Sequence, residues 1–282
     1  MDDPLMMDAA SRYMPGSIDS HAHLELLSRR GLDADSVLAE AKAGGIAGII
    51  DVGVVPSDLE RRFAAFGGQG IVSFTSGLHP TSVTPGRVDE ELALLAATLD
   101  GGATVGNRPV VAVGEVGLDY YHTGDHARLQ LETLERLATL ASRHDLPLIL
   151  HNRASESDML AFLRRVRPRG VMHCFSQDAE YCAGCLDLGL LISFGGNLTY
   201  RSSDGIRAAA AMVPDDRLLV ETDSPYLSPQ AVRGAANHPG HLAYTVEALA
   251  DLRGVSAEQV VRVTSANACA LFGIAPWSAD EA

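Results

Sequence analysis

The stretch DHARLQLETLERLATLASRHDLPLILHNR, residues 125–153, joins one helical period to one short apolar run that ends on a histidine. Leu129, Leu134, Leu137 and Leu140 recur at helical spacing and predict a helix with a single apolar stripe. Asp145-Leu146-Pro147 ends it, because proline has no N–H to give and disfavours helix in the residue before it. The run 146–151 is then too short for a helix and too apolar for an exposed strand. It reads as a strand buried on both faces, closing in His151-Asn152-Arg153.

The same alternation extends in both directions. Apolar runs at 17–21, 46–54, 71–78, 110–117, 146–151, 170–173, 190–194 and 217–222 are separated by segments rich in Ala, Leu, Glu and Arg. Strands alternating with helices pair in parallel through right-handed crossovers. Eight such units in 282 residues predict an α/β fold, a parallel (β/α)8 TIM-like barrel, rather than an open sheet. Ser256-Ala257-Glu258-Gln259 is a capping-box pattern, and Gly273 is a helix stop, so an additional C-terminal helix is expected beside the barrel. Residues 1–16, with their Pro15-Gly16 break, read as a ragged N-terminal extension, 17–275 as one barrel domain and 276–282 as a tail.

The chain carries a net charge of −14, and Lys42 is the single lysine among its 22 basic residues. An acidic surface repels phosphate backbones at long range, which excludes sequence-independent coating of nucleic acid. A nucleic-acid substrate therefore requires metal ions or a few local arginines to neutralise its phosphates. No apolar run reaches the ~18 residues of a membrane span, and the N-terminus shows no apolar signal segment. The expectation is a cytoplasmic chain with reduced cysteines, no membrane partner and no need of a second subunit. Cys182 and Cys185 form a lone C-x-x-C and read as filling on a helix.

Nearly every predicted strand ends in residues that bind metals. The first ends in Asp19-Ser20-His21-Ala22-His23, the fourth in Gly114-Glu115-Val116-Gly117-Leu118-Asp119, the sixth in His173-Cys174-Phe175 and the eighth in Glu221-Thr222-Asp223-Ser224-Pro225. In a β/α barrel all these ends meet on one face. His21 and His23, two apart on a strand, point to the same side and can reach one ion together. Glu115 offers two oxygens and can bridge two ions, with His151 and His173 completing the shell of the second. Imidazole suits zinc, and carboxylates admit magnesium or manganese, so the expected cofactors are two divalent ions, Zn2+, Mg2+ or Mn2+.

Asp223 is expected beside the first ion as the base for a water that the ion acidifies, making Asp223 and Glu115 the catalytic carboxylates. His79, in Gly77-Leu78-His79-Pro80, reads either as a contact to the leaving group or substrate phosphate, or as a structural strand-end histidine. Glu221 reads either as a buried partner for an arginine or as a supporting group behind the ligands. Arg153 and Arg233 read either as phosphate contacts or as partners in helix-end pairs.

At these positions the sequence resembles the TatD-type deoxyribonucleases of the metal-dependent amidohydrolase superfamily, from about Ile18 to Gly273. The resemblance is carried by Asp19-Ser20-His21-Ala22-His23-Leu24, Gly77-Leu78-His79-Pro80, Gly114-Glu115-Val116-Gly117-Leu118-Asp119-Tyr120-Tyr121 and Gln130. It continues in Leu148-Ile149-Leu150-His151-Asn152-Arg153, His173-Cys174-Phe175-Ser176, Glu221-Thr222-Asp223-Ser224-Pro225-Tyr226-Leu227 and Arg233-Gly234. It implies a β/α barrel with His21, His23 and Asp223 on one divalent ion, His151 and His173 on another, and Glu115 between them. It also implies phosphodiester hydrolysis at a strand end, as a 3′ to 5′ exonuclease on DNA or RNA.

Two departures stand out. After Arg233-Gly234 the family carries basic residues and then Asn-Glu-Pro, whereas this chain has Ala235-Ala236-Asn237-His238-Pro239, keeping Asn237 as a substrate-binding candidate but losing both charges. After Arg153 the family often has an acidic residue, and here stands Ala154.

Two other readings use the same residues. The ions could serve ester or amide hydrolysis, as in other amidohydrolase barrels and in relatives linked to removing D-amino acids from tRNA. A non-enzymatic, metal-stabilised docking barrel needs no base beside an open coordination position, and Asp223 argues against it.

Overall fold

The computed structural model describes residues 12–277. Its strands are β1 (Ile18–Ala22), β2 (Gly48–Asp51), β3 (Val72–Ser76), β4 (Thr104–Val105), β5 (Arg108–Asp119), β6 (Leu148–Arg153), β7 (Gly170–Met172), β8 (Leu191–Phe194) and β9 (Leu218–Val220). All but β4 form one parallel series in chain order, β1-β2-β3-β5-β6-β7-β8-β9. The series closes just past β9, where the Asp223 amide donates to the His21 carbonyl at 2.9 Å and the His23 amide to the Ser224 carbonyl at 2.8 Å. The eight apolar runs thus become the eight staves of the predicted barrel. β4 was not foreseen: Thr104 and Val105 pair antiparallel with Pro109 and Arg108, extending the lower end of β5 through a tight turn at Gly106.

Period-two alternation sorts the side chains. Leu148 and Leu150 of β6 join the core between sheet and helices, and Ile149 joins a second core inside the barrel with Val111, Val171, Leu191 and Leu219. Continuing each inward row upward gives His151, His173, and then Glu221 and Asp223. The barrel interior is therefore apolar below and polar at its mouth.

The predicted helix after β5 runs Ala127–Arg143, buries Leu134 and Leu137, and stops before Asp145, whose φ is +51°. Two helices follow β9. Leu242–Arg253 is the eighth of the alternation and Ala257–Phe272 is the additional one, capped by the Ser256 side chain and ended by left-handed Gly273. The last helix does not lie beside the barrel as expected. Ala268, Leu271 and Phe272 pack with Ile18, Ala47 and Leu219, so it plugs the end opposite the strand C-termini. Burial of Leu271 and Phe272 contributes about 1.5–3 kcal/mol each, which favours the plug over solvent exposure.

Of the two terminal segments, residues 1–11 and 278–282 lie outside the described residues. Within the described part, the Arg12 amide donates to the Gly240 carbonyl at 2.8 Å, and the Trp277 amide to the Ala47 carbonyl at 2.7 Å. No helix among the described residues is long and apolar enough to cross a membrane.

One buried charge braces the mouth. Arg62, on the helix Leu59–Phe66, donates to the Asp51 carboxylate at 2.9 Å, the Asp58 carboxylate at 2.7 Å and the Thr75 carbonyl at 2.6 Å. A fourth bond runs to the Asp51 carbonyl at 3.0 Å, so the ion pair with Asp51 and the bond to Thr75 tie the ends of β2 and β3 together.

Candidate metal centre

Strand alternation brings the six predicted donors into one buried cluster. Glu115 stands at its centre with its two oxygens facing different neighbours. Oε2 lies 3.5 Å from both His21 Nε2 and His23 Nε2, and Asp223 Oδ1 lies 3.8 and 3.7 Å from the same two nitrogens. Oε1 lies 2.7 Å from His151 Nδ1 and 2.7 Å from His173 Nε2. Ligand atoms of His21, His23 and Asp223 fall within 4.8 Å of one another, as do those of His21, Glu115 and His173, and those of His79, Glu115 and His151.

Hydrogen bonds on the outer side of the rings decide where their protons sit. His23 Nδ1–H donates to the Val52 carbonyl at 2.9 Å, His151 Nε2–H to Asp119 at 3.2 Å, and His173 Nδ1–H to Glu221 at 3.3 Å. Each ring therefore keeps its other nitrogen toward Glu115, where a proton sits until a cation takes its place. His21 presents Nε2 to the cluster while its buried Nδ1 has no partner. Four imidazoles and two carboxylates so arranged fit divalent cations of the zinc, manganese or magnesium type.

His79 differs. Its Nε2 lies 3.3 Å from Glu115 Oε1, close enough to count as a donor to a cation. Its Nδ1, however, accepts from the Thr81 backbone amide at 3.1 Å, which places the ring proton on Nε2. Proximity favours a ligand and the tautomer favours a hydrogen-bond donor. The tautomer is the stronger argument, because a backbone N–H cannot accept.

Electrostatics follow the burial. Burial pushes His21 down to about 4, with His173 adding to the shift, so its ring is neutral near pH 7. Burial also favours the neutral Glu115 carboxyl, but His173 and His79 outweigh it and hold Glu115 well below its ordinary value. His173 is in turn held well above its ordinary value, burial being overcome by Glu115. A cation entering the cluster replaces that proton as the counter-charge of Glu115. Burial raises Asp223 to about 6, matching a base near neutrality.

Two residues at the mouth have left-handed backbone. Asp223 and Cys174 have φ of +55° and +46°, sparsely populated for residues with a side chain, and both stand just beyond a strand at the mouth. Asp19 lies beneath, accepting from the Thr222 amide at 2.9 Å and hydroxyl at 2.6 Å. Burial pushes its carboxyl up to about 7 against those bonds.

Of the outer candidates, Arg153 lines the open cavity of about 1410 Å³ above the cluster, as do His79, Ala235 and Ala236. Arg233 lies outside that lining and stacks on Tyr200, which belongs to it, with 4.5 Å from guanidinium carbon to ring centroid. Asn237 does not reach the cavity. It is fully buried, donates to the Thr222 and Tyr226 carbonyls at 2.7 Å each, and accepts from the His238 amide at 3.0 Å. Its amide organises the loop after β9, which corrects its assignment as a substrate contact.

Asp119 belongs to the strand-end motif read from the sequence, but that reading gives it no role of its own. Glu115, Gly117 and Asp119 alternate on β5, and that spacing was the available signal. Asp119 accepts from His151 at 3.2 Å and from the His122 ring at 2.8 Å. Arg62 gave no signal, since an arginine on an amphipathic helix reads as surface.

Comparison with known proteins agrees with this geometry. The family model described as TatD related DNase matches residues 18–273. The uncharacterized metal-dependent hydrolase YcfH of Escherichia coli K12 is 39% identical over 263 residues, covering 91% of this chain and 96% of its own length. The 3′-5′ ssDNA/RNA exonuclease TatD of Citrobacter rodentium is 30% identical over 259 residues, covering 88% and 94%. Among solved structures, YjjV, the TatD homolog of Escherichia coli K12, superposes with a TM-score of 0.84 at 29% identity, covering 92% and 99%. With the family model matching residues 18–273 and a relative 39% identical over 91% of the chain, this protein belongs to the TatD family and is a metal-dependent hydrolase.

Proposed function

We propose that the cluster holds two divalent ions, Zn2+, Mg2+ or Mn2+, and cleaves phosphodiester bonds at the 3′ end of a DNA or RNA strand. The observation that carries the reading is the division of Glu115, one oxygen toward His21, His23 and Asp223 and the other toward His151 and His173, below an open cavity. Bound there, such ions supply positive charge for the phosphoryl oxygens and acidify water. His21, His23, His151, His173, Glu115 and Asp223 would hold them. Asp223 takes a proton from the attacking water at its carboxylate. His79, neutral because burial lowers its pKa and protonated at Nε2, donates a hydrogen bond to the departing oxygen.

The acidic surface suits a site that meets a strand end rather than a long groove. The Citrobacter relative is named for this activity on single strands.

Metal-loaded enzyme offered a 3′-labelled single-stranded oligonucleotide beside aminoacyl esters and cyclic amides is expected to release mononucleotides. Turnover confined to the esters or amides would overturn the reading. Asp223→Asn should lower strand hydrolysis by about 10²- to 10⁴-fold while equilibrium dialysis finds nearly unchanged metal content.

A further inference from the structure

We infer that two arginine-on-tyrosine stacks, on opposite sides of the mouth, hold the bases that flank the bond to be cut; this rests on the phosphodiesterase reading above. Tyr226 follows β9, is 42% exposed, and has its ring 6.3 Å from that of His23. The Arg30 guanidinium sits 5.8 Å from its centroid, reaching over from the segment after β1. Tyr121 follows β5, is 67% exposed, and carries the Arg153 guanidinium at 4.5 Å. In the eight-strand order β5 and β6 stand half a turn from β9 and β1, so the donor cluster lies between the two stacks.

Large aromatic rings are usually buried, and a guanidinium on one face leaves the other face for a planar partner. Among the described residues neither Arg30 nor Arg153 is paired with a carboxylate, although the chain is acidic. Free cations beside open aromatic faces match what single strands require: stacking for bases and positive charge for the phosphates between them. A base inside a duplex already has neighbours on both faces, so the platforms select unpaired ends. Arg30 also lines the cavity together with Ala235 and Ala236, which bring no charge of their own.

The test uses the metal-loaded full chain and its Tyr226→Leu, Tyr121→Leu and corresponding Phe variants. Each is assayed on a single-stranded oligonucleotide and on the same strand lacking its two 3′-terminal bases. Binding of both strands is read by anisotropy with Asp223→Asn added to prevent turnover. Each Leu variant is expected to raise KM and Kd on the base-bearing strand by about tenfold with little change in kcat, and each Phe variant to recover most of that loss. On the base-free strand the Leu penalty should shrink to about threefold or less. Equal penalties on both strands, or none on the base-bearing one, would overturn the inference while leaving strand hydrolysis standing. If the wild type cleaves no strand, the phosphodiesterase reading fails and the inference with it.

Discussion

Glu221 accepts from His173 Nδ1 at 3.3 Å and from the Cys174 amide at 2.6 Å, so one carboxylate sets both a ring tautomer and the turn beyond β7. Removing its charge while keeping its shape should loosen the ligand without emptying the site. Glu221→Gln is expected to weaken metal affinity by about 10- to 100-fold in a chelator-competition titration, and an unchanged affinity would contradict its role. The six donors were legible in the sequence because each stands at a strand end, where a barrel collects side chains. Their proton positions were not, since these depend on Val52, Asp119 and Glu221, which strands pair across from distant places in the chain. Asn237 was misread for a related reason. Its loop folds back under the mouth, a path that no periodicity encodes.

Among the elements, the parallel staves followed from apolar runs and the helix from Ala127 followed from leucine spacing. The β4 pairing escaped because two residues beside a turn leave no alternation to detect. The C-terminal helix was anticipated with its cap, but its placement was not, since the fit of Leu271 and Phe272 into the barrel floor is a tertiary match. The helix carrying Arg62 bears on the site through that arginine, which neutralises Asp51 and Asp58 near the β2 and β3 ends. Arg62→Met leaves both carboxylates buried without a cation. It is expected to cost about 3–5 kcal/mol in urea unfolding, and a loss under about 1 kcal/mol would show the brace to be dispensable.

For the molecule as a whole, the net charge of −14 contrasts with Arg29, Arg30 and Arg153 in the lining of the cavity. Low pH should weaken the fold through His241, which links the Asn237 loop to the helix from Leu242 by an Nδ1–H bond to Asn237 at 3.1 Å. Burial, with His238 adding to it, holds its pKa at about 3, against about 6.5 unfolded. Between those values the unfolded chain binds the extra proton, so stability falls as pH drops from about 6.5 toward 3. Thermal unfolding of wild type and His241→Gln should therefore converge in Tm as pH is lowered from 7 to 4. A pH-independent gap would contradict this.

The central claim, that buried donors around Glu115 hold divalent ions which the hydrolysis requires, is tested most directly by stripping and restoring them. Turnover of a labelled single-stranded oligonucleotide is measured on native, EDTA-dialysed and metal-reloaded enzyme, with bound ions counted by mass spectrometry. The account predicts activity lost with the ions and restored by Mg2+, Mn2+ or Zn2+ as the count approaches two per chain. Full turnover in protein stripped of metal would contradict it.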